Sequence, residues 1–95
     1  MRPCPLKIEL MSRQHHYLKI KPEYFRAIAS GKKTFEVRRN DRNYAAYDML
    51  HLNEFAGEEY TGRTIDAEVT YLLNDPEFCK DGFVIMALKV INILN

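Results

Sequence analysis

The most chemically loaded segment of the sequence is residues 31–38, which reads GKKTFEVR. Its glycine suits the left-handed cap of a helix, and the alternation that follows predicts a strand that starts at once. On such a strand Glu36 and Arg38 lie on one face and can set each other's orientation. Lys33, at the junction, can donate to a phosphate or, if desolvated, lose its proton. These residues alone leave two interpretations open: a ligand site, or an exposed strand with a weak surface ion pair.

Charge is distributed unevenly along the chain. The formal net charge is +1, yet residues 19–42 hold eight basic and three acidic residues, whereas residues 48–81 hold two basic and nine acidic ones. A chain polarised in this way can present a positive patch to a phosphate-bearing ligand while staying near neutral overall. The alternative is a pair of solvated faces that balance each other, because surface charge is commonplace.

Other constellations of reactive side chains are weaker. His15 and His16 are adjacent, so on a strand they point to opposite faces, and no Cys or carboxylate spacing completes a site around His51. We therefore predict no metal and no other cofactor. Asp66 and Glu68 share a strand face and could act as paired carboxylates or bind Mg²⁺, although the solvated face of a strand is the favoured interpretation.

Length and composition restrict the class of protein. Ninety-five residues, 46% apolar and 28% charged, predict one small globular domain. The longest apolar run, residues 83–88, is far shorter than the ~20 residues that span a bilayer. Residues 1–5 lack the apolar core of a secretory signal, and the cysteines, Cys4 and Cys79, are too few for a disulfide framework. We expect a reduced, cytoplasmic protein with no membrane partner.

Hydrophobic periodicity predicts one helix and five strands, in the order strand, helix, then four strands. The helix is predicted to begin at Pro22 and to end before Gly31. The predicted strands lie near residues 16–21, 34–38, 49–55, 65–71 and 83–91, with a further short strand near residues 6–10. We expect a flexible leader over residues 1–14 and an α+β domain over residues 15–95, a small and mostly antiparallel β-barrel with the helix over one mouth.

A known family shares this pattern. Gly31, Lys33, Glu36 and Arg38 match the G-x-K-x-x-E-x-R signature of ASCH domains, a branch of the PUA-like β-barrels. The similarity extends over roughly residues 15–90, in segments that read HYLKIKPEYF (16–25), KTFEVRRNDR (33–42), YTGR (60–63), VTYLL (69–73) and GFVI (82–85). The chain thus resembles a small bacterial and phage branch of that superfamily, whose members are mostly described as domains of unknown function.

The resemblance implies a cleft between the helix and the strands, where the signature residues gather. PUA-like domains commonly bind RNA or a modified base there, and ASCH domains are proposed to act in RNA metabolism. Some relatives deacetylate N4-acetylcytidine with a lysine at the position of Lys33 and a threonine at the position of Glu36, where this chain carries glutamate. Thr34 shares the strand face but does not match that position. Other relatives are reported as ribonucleases.

The leading expectation is an RNA- or nucleotide-binding module. Lys33 and Arg38 would contact phosphate, or Arg38 would stack on a base, while Glu36 accepts from a base edge or holds Arg38. Further expected contacts are Lys32, Arg39, Arg42 and, across the barrel, Arg63 for phosphate, with Tyr17, Tyr24 and Tyr44 for stacking or simply for packing. The alternatives are an RNA-cleaving or modified-nucleoside (amido)hydrolase that uses Lys33 and Glu36, and a protein-interaction domain.

Overall fold

The computed structural model describes residues 13–95, so the strand predicted near residues 6–10 lies outside the described part. The elements are β1 (His15–Ile20), α1 (Pro22–Ala29), β2 (Phe35–Arg39), β3 (Met49–Ala56), β4 (Glu59–Leu73) and β5 (Phe83–Leu94). This order and the α+β class confirm the sequence-based prediction. Arg13 and Gln14, assigned above to the leader, already contact the sheet through Glu68 and the Met49 amide.

The five strands form one curved sheet in the order β1-β3-β4-β5-β2. Only the β1–β3 pair is parallel, and the three other pairs are antiparallel. The central strands β3, β4 and β5 follow one another in the chain, whereas the two edge strands come from its first half. The sheet curls until Arg38 on one edge donates to the backbone carbonyl of Lys19 on the other, at 2.7 Å. The result is a half-barrel whose open side lies between β1 and β2.

The pairing of the long strand β4 with β5 is irregular: the register shifts between Asp66 and Ala67 and again between Val69 and Tyr71. Each shift marks a bulge or irregularity, which bends a strand and re-aims its side chains. The sequence predicts that inward and outward side chains alternate over residues 65–71, and this prediction is wrong at the last residue, Tyr71. Val69 is buried, but Tyr71 is 65% exposed and Leu72 takes the inward position.

The core lies between the concave side of the sheet and α1. Phe25 and Ile28, at i and i+3 of the helix, are 1% and 2% exposed and join Leu50 and Leu52 of β3 in one apolar cluster. Burying a phenylalanine or isoleucine side chain contributes about 1.5–3 kcal/mol each, and an eight-residue helix depends on that contribution because it is too short to persist alone. No helix within residues 13–95 is long and apolar enough to cross a membrane.

The end of α1 determines where β2 begins. Gly31 has a φ of +80°, and its N–H donates to the Ile28 carbonyl while the Lys32 N–H donates to the Ala27 carbonyl. These two bonds form a Schellman motif, in which glycine adopts the left-handed conformation that a side chain disfavours. The chain leaves the helix in this turn and places Lys33 two residues before the edge strand β2.

Candidate functional site

Strand β2 has an inverted burial pattern. Its apolar side chains Phe35 and Val37 are 43% and 49% exposed, whereas the charged Glu36 between them is only 4% exposed. A strand over a core ordinarily buries its apolar face, and a buried carboxylate is costly unless it is paired and hydrogen-bonded. This inverted pattern indicates that the inner face of β2 holds a cluster of charged side chains around Glu36.

Glu36 meets this requirement with two cations, one at each carboxylate oxygen. Lys33 Nζ lies 2.6 Å from Oε1, and Arg38 Nε lies 2.7 Å from Oε2. The predicted interaction of Glu36 with Arg38 is confirmed. The alternative interpretation, a weak ion pair on an exposed strand, does not apply because the Glu36 carboxylate is buried. Glu36 therefore fixes the orientation of both cations.

Each cation has a second anchor on the backbone. Lys33 Nζ donates to the carbonyl of Phe35 at 2.8 Å, and Arg38 Nη2 donates to the carbonyl of Lys19 at 2.7 Å. A lysine ammonium has three N–H donors and an arginine has five. One donor of Lys33 and three of Arg38 thus have no partner within residues 13–95. Hydrogen bonds thus fix the positions of both cations, while four of their N–H groups are left for a ligand.

These donors border a cavity of about 460 Å³ between the two edge strands. That volume lies within the range of about 300–1,000 Å³ typical of small-molecule sites. The ring of Tyr24 forms part of the wall, 5.2 Å from Lys33 Nζ. The cavity is lined, beside apolar surface, by Lys19, Ile20, Lys21, Tyr24, Lys33, Phe35, Glu36, Val37 and Arg38. The Lys19 ammonium lies 4.3 Å from the centroid of the Phe55 ring, which is outside this lining. Lys21, Lys33 and Arg38 against Glu36 give a net charge of +2 at the cavity. We call this cavity the edge cleft.

The structure brings together Lys33, Glu36, Arg38 and Tyr24, and leaves the other predicted contacts outside the edge cleft. Tyr17 stacks on His51 on the outer face of the sheet, and Arg39 lies over the ring of Phe83. Lys32 and Arg42 are exposed without lining the cavity.

Tyr44 takes the packing role, one of the two alternatives that the sequence left open for it. It is only 2% exposed and packs edge-on against His16, and burial raises the pKa of its phenol. The side chain is therefore part of the core and offers no open face for stacking.

Arg63 belongs to a second charged cluster rather than to the edge cleft. Its Nε and Nη2 lie 2.8 and 2.7 Å from the two oxygens of Glu54, and the Thr61 hydroxyl donates to the first oxygen. The guanidinium also lies 4.7 Å from the centroid of the Phe25 ring. The hydrogen bond from Arg63 lowers the pKa of Glu54 against the opposing effect of burial. This cluster borders a separate cavity of about 190 Å³.

Lys19 and Lys21 line the edge cleft, although the sequence assigned them no role in the site. The alternation of β1 places Lys19 on the face opposite the core residues Leu18 and Ile20. Nothing in the sequence indicates that this edge of β1 meets β2, since that contact arises only when the sheet curls. The excess of basic residues over acidic residues in the segment 19–42 was the one feature of the sequence that pointed to a role for these two lysines.

The histidines and acidic residues of the outer face pair with each other. His51 bonds to His15 at 2.9 Å and to Asp66 at 2.7 Å, while Glu68 pairs with Arg13. Buried His16 pairs separately with Asp48 at 2.9 Å. Within residues 13–95 no group of three or more histidine, cysteine or acidic side chains could hold a metal ion.

Comparison with known proteins identifies a family and a relative of this chain. Residues 15–88 match the model of a family described as a domain of unknown function, DUF3850. The matched range covers the helix, Lys33, Glu36, Arg38 and most of the sheet. An uncharacterized 12.9 kDa protein from Escherichia phage P2, named for its position in the GpA 3′ region, is 35% identical over 66 residues. The alignment covers 70% of this chain and 61% of that protein, so the chain spans less than two thirds of the length of this relative.

Proposed function

This chain belongs to the DUF3850 family, and we propose that it is a binding module for RNA or a nucleotide, with the edge cleft as its site. One observation carries the proposal. A buried carboxylate, Glu36, fixes two cations whose remaining donors border a cavity of net charge +2. Such an arrangement suits a ligand that is anionic at one end.

The two kinds of lining surface match the two parts of a nucleotide. Arg38 and Lys33 supply charge-assisted donors of the kind that hold phosphate oxygens. Tyr24 and Phe35, each 43% exposed, supply ring faces of the kind on which unpaired bases stack. The resemblance to ASCH domains of the PUA-like superfamily supports the same class of ligand, although one fold hosts several activities.

A hydrolase is the second candidate, because Lys33 and Glu36 form a close pair at 2.6 Å inside the edge cleft. A lysine that acts as a base must release a proton, and here the ammonium donates to both the carboxylate and the Phe35 carbonyl. The observed contacts therefore support Lys33 as a charged donor. Binding without chemistry is the better-supported function.

The test is the fluorescence anisotropy of a labelled single-stranded RNA titrated with protein at low and moderate salt. We expect affinity that falls steeply with salt, because phosphate contacts release counterions. Lys33→Ala should weaken binding, whereas Lys89→Ala, which removes the same charge from an exposed position outside the edge cleft, should not. Salt-independent binding, or equal affinities for the two variants, would remove the proposal.

A denaturing gel of the recovered RNA separates the two candidates. Intact RNA after prolonged incubation supports a binding module and argues against a nuclease. Time-dependent cleavage of RNA, or deacetylation of an acetylated nucleoside, that disappears in Glu36→Gln would establish the hydrolase instead.

A further inference from the structure

The β2–β5 ladder leaves every second backbone unit of β2 unpaired. At one end of the ladder the Asn40 N–H donates to the Gly82 carbonyl, and at the other the Leu88 N–H donates to the Thr34 carbonyl. In an antiparallel pair, residues that exchange hydrogen bonds alternate with residues that point away. Glu36 and Arg38 therefore bond to β5, whereas the N–H and C=O groups of Phe35 and Val37 point toward the open edge.

The same reasoning applies to β1 on the opposite side of the edge cleft. The Met49 N–H donates to the Gln14 carbonyl, so the even-numbered residues of β1 bond to β3 and Lys19 points outward. The hydrogen bond from Arg38 to the Lys19 carbonyl agrees with this assignment. Two unpaired strand edges thus face each other across the cavity.

Most of the outward carbonyls at this opening are already occupied. The Phe35 carbonyl accepts from Lys33, and the Lys19 carbonyl accepts from Arg38. Val37 differs from both, because its N–H and C=O point away from β5 and neither has a partner elsewhere within residues 13–95. Val37 also lines the edge cleft, so this donor and acceptor lie side by side at the cavity.

We propose that the backbone of Val37 reads the hydrogen-bonding edge of an unpaired nucleobase in the edge cleft. A strand residue can exchange two hydrogen bonds with any group that presents a donor beside an acceptor, as a residue of a neighbouring strand does. Unpaired bases present such an edge, and single-stranded segments are recognised on it. This inference rests on the proposed function and narrows its ligand to single strands, because a duplex uses those edges for its own base pairs.

The most direct test removes the Val37 N–H, which is the one donor of this backbone unit, and leaves the neighbouring side chains unchanged. Proline lacks the N–H but is tolerated at a strand edge where that N–H bonds to no neighbour. Val37→Pro should bind a uridine decamer roughly tenfold more weakly than Val37→Ala, since losing a hydrogen bond and leaving its partner unsatisfied has an effect of that order. Equal affinities of the two folded variants would overturn the inference.

A ligand-side test with the unchanged protein covers the case in which the proline variant does not fold. A decamer of N3-methyluridine lacks the base donor that would reach the Val37 carbonyl, and a decamer of 5-methyluridine carries the same added methyl group away from that edge. We expect the first to bind roughly tenfold more weakly than the second. Equal, salt-sensitive binding of both would overturn the inference and leave the proposed function standing, whereas no binding of either would remove the proposed function.

Amide spectra give a third readout. In the free protein the Val37 N–H should exchange with solvent much faster than the N–H groups of Glu36 and Arg38, which bond to β5. The uridine decamer should shift and protect the Val37 signal. Binding of the decamer with the Val37 signal unchanged would overturn the inference and leave this edge to another ligand, such as an extended peptide.

Discussion

Within residues 13–95 two glutamates are almost completely buried, and each pairs with an arginine that follows it in the chain, but the two pairs are built differently. At Glu54, 3% exposed, Arg63 alone contacts both carboxylate oxygens through Nε and Nη2. At Glu36, 4% exposed, the two oxygens go to different cations, Lys33 and Arg38.

The surroundings of the two arginines complete the contrast. Arg63 uses the fork of its guanidinium on one partner, and the Thr61 hydroxyl adds a bond to the same carboxylate. Such a bidentate pair occupies both carboxylate oxygens with one side chain and fixes its geometry. Arg38 divides its bonds between Glu36 and the Lys19 carbonyl on the opposite sheet edge, although both arginines keep three N–H groups without a partner within the described residues. Neither a buried charge nor an open donor therefore separates the two clusters. They differ in that two cations share one carboxylate beside a cavity of about 460 Å³ at Glu36, whereas one arginine takes both oxygens beside a cavity of about 190 Å³ at Glu54.

The largest expected difference is between the two arginine deletions. Arg38→Ala should lower RNA affinity roughly tenfold to a hundredfold, because hydrogen bonds between charged groups contribute about 1.5–3 kcal/mol. Arg63→Ala should instead lower the melting temperature while the folded fraction still binds RNA. Anisotropy titrations and thermal melts of both variants check this, and an Arg63 variant with weaker RNA binding than the Arg38 variant would contradict the division.

The two glutamates should separate in the same way under denaturant. Glu54→Gln should reduce the free energy of unfolding more than Glu36→Gln, because it breaks a matched bidentate pair next to the core. Glu36→Gln should mainly weaken RNA binding, since its cations lose their common anchor. Urea unfolding curves measure the first effect, and the reverse order of the two midpoints would refute it.

Acidification should affect the Glu54 pair in a defined direction. The folded-state pKa of Glu54 lies below its ordinary value of 4.5, chiefly because of the hydrogen bond from Arg63. A lowered carboxyl pKa contributes stability that is present above the unfolded-state value and is lost as the pH falls through the folded-state value. Between about pH 6 and pH 3 the wild-type protein should therefore lose more unfolding free energy than Glu54→Gln. Parallel stability curves for the two proteins would show that the pair contributes nothing.

The smallest expected effect concerns the rim of the edge cleft. Lys21 lines the cavity and is exposed, and its side chain makes no hydrogen bond or ion pair within residues 13–95. Lys21→Ala should reduce the slope of log affinity against log salt by about 1, as the loss of one phosphate contact does, and weaken binding a few-fold. Lys89→Ala again serves as the matched control, and an unchanged slope in Lys21→Ala would place the phosphate elsewhere.

Local signals in the sequence were sufficient for the order of elements and for one part of the site. Pro22 and Gly31 bracket the helix, and the spacing of Glu36 and Arg38 places both on one strand face, as observed. These features depend on residues a few positions apart, where steric and hydrogen-bonding rules act directly.

Features that depend on the curl of the sheet were not predictable in this way. The register shift after Val69 turns Tyr71 outward, and the approach of the two sheet edges brings Lys19 to Arg38. The pairing of Arg63 with Glu54 likewise requires the β3–β4 hairpin, whose turn residues both have positive φ. None of these features produces a periodic pattern in the sequence, because each depends on how separate strands pack together in the folded protein.

The strand order also has a consequence for how the protein assembles. Strands β3 and β4 are joined by a tight turn and β5 follows in sequence, so their contacts close short loops, whereas β1 and β2 must each dock onto a strand that is distant in the chain. We expect the central three strands to form first and the edge cleft to be completed last. Hydrogen exchange at rising urea should release the β1 and β2 amides before those of β3 and β4, and the opposite order would exclude this sequence of events. Because a ligand in the edge cleft would contact both late-docking strands, its binding should slow their opening more than that of the rest of the sheet.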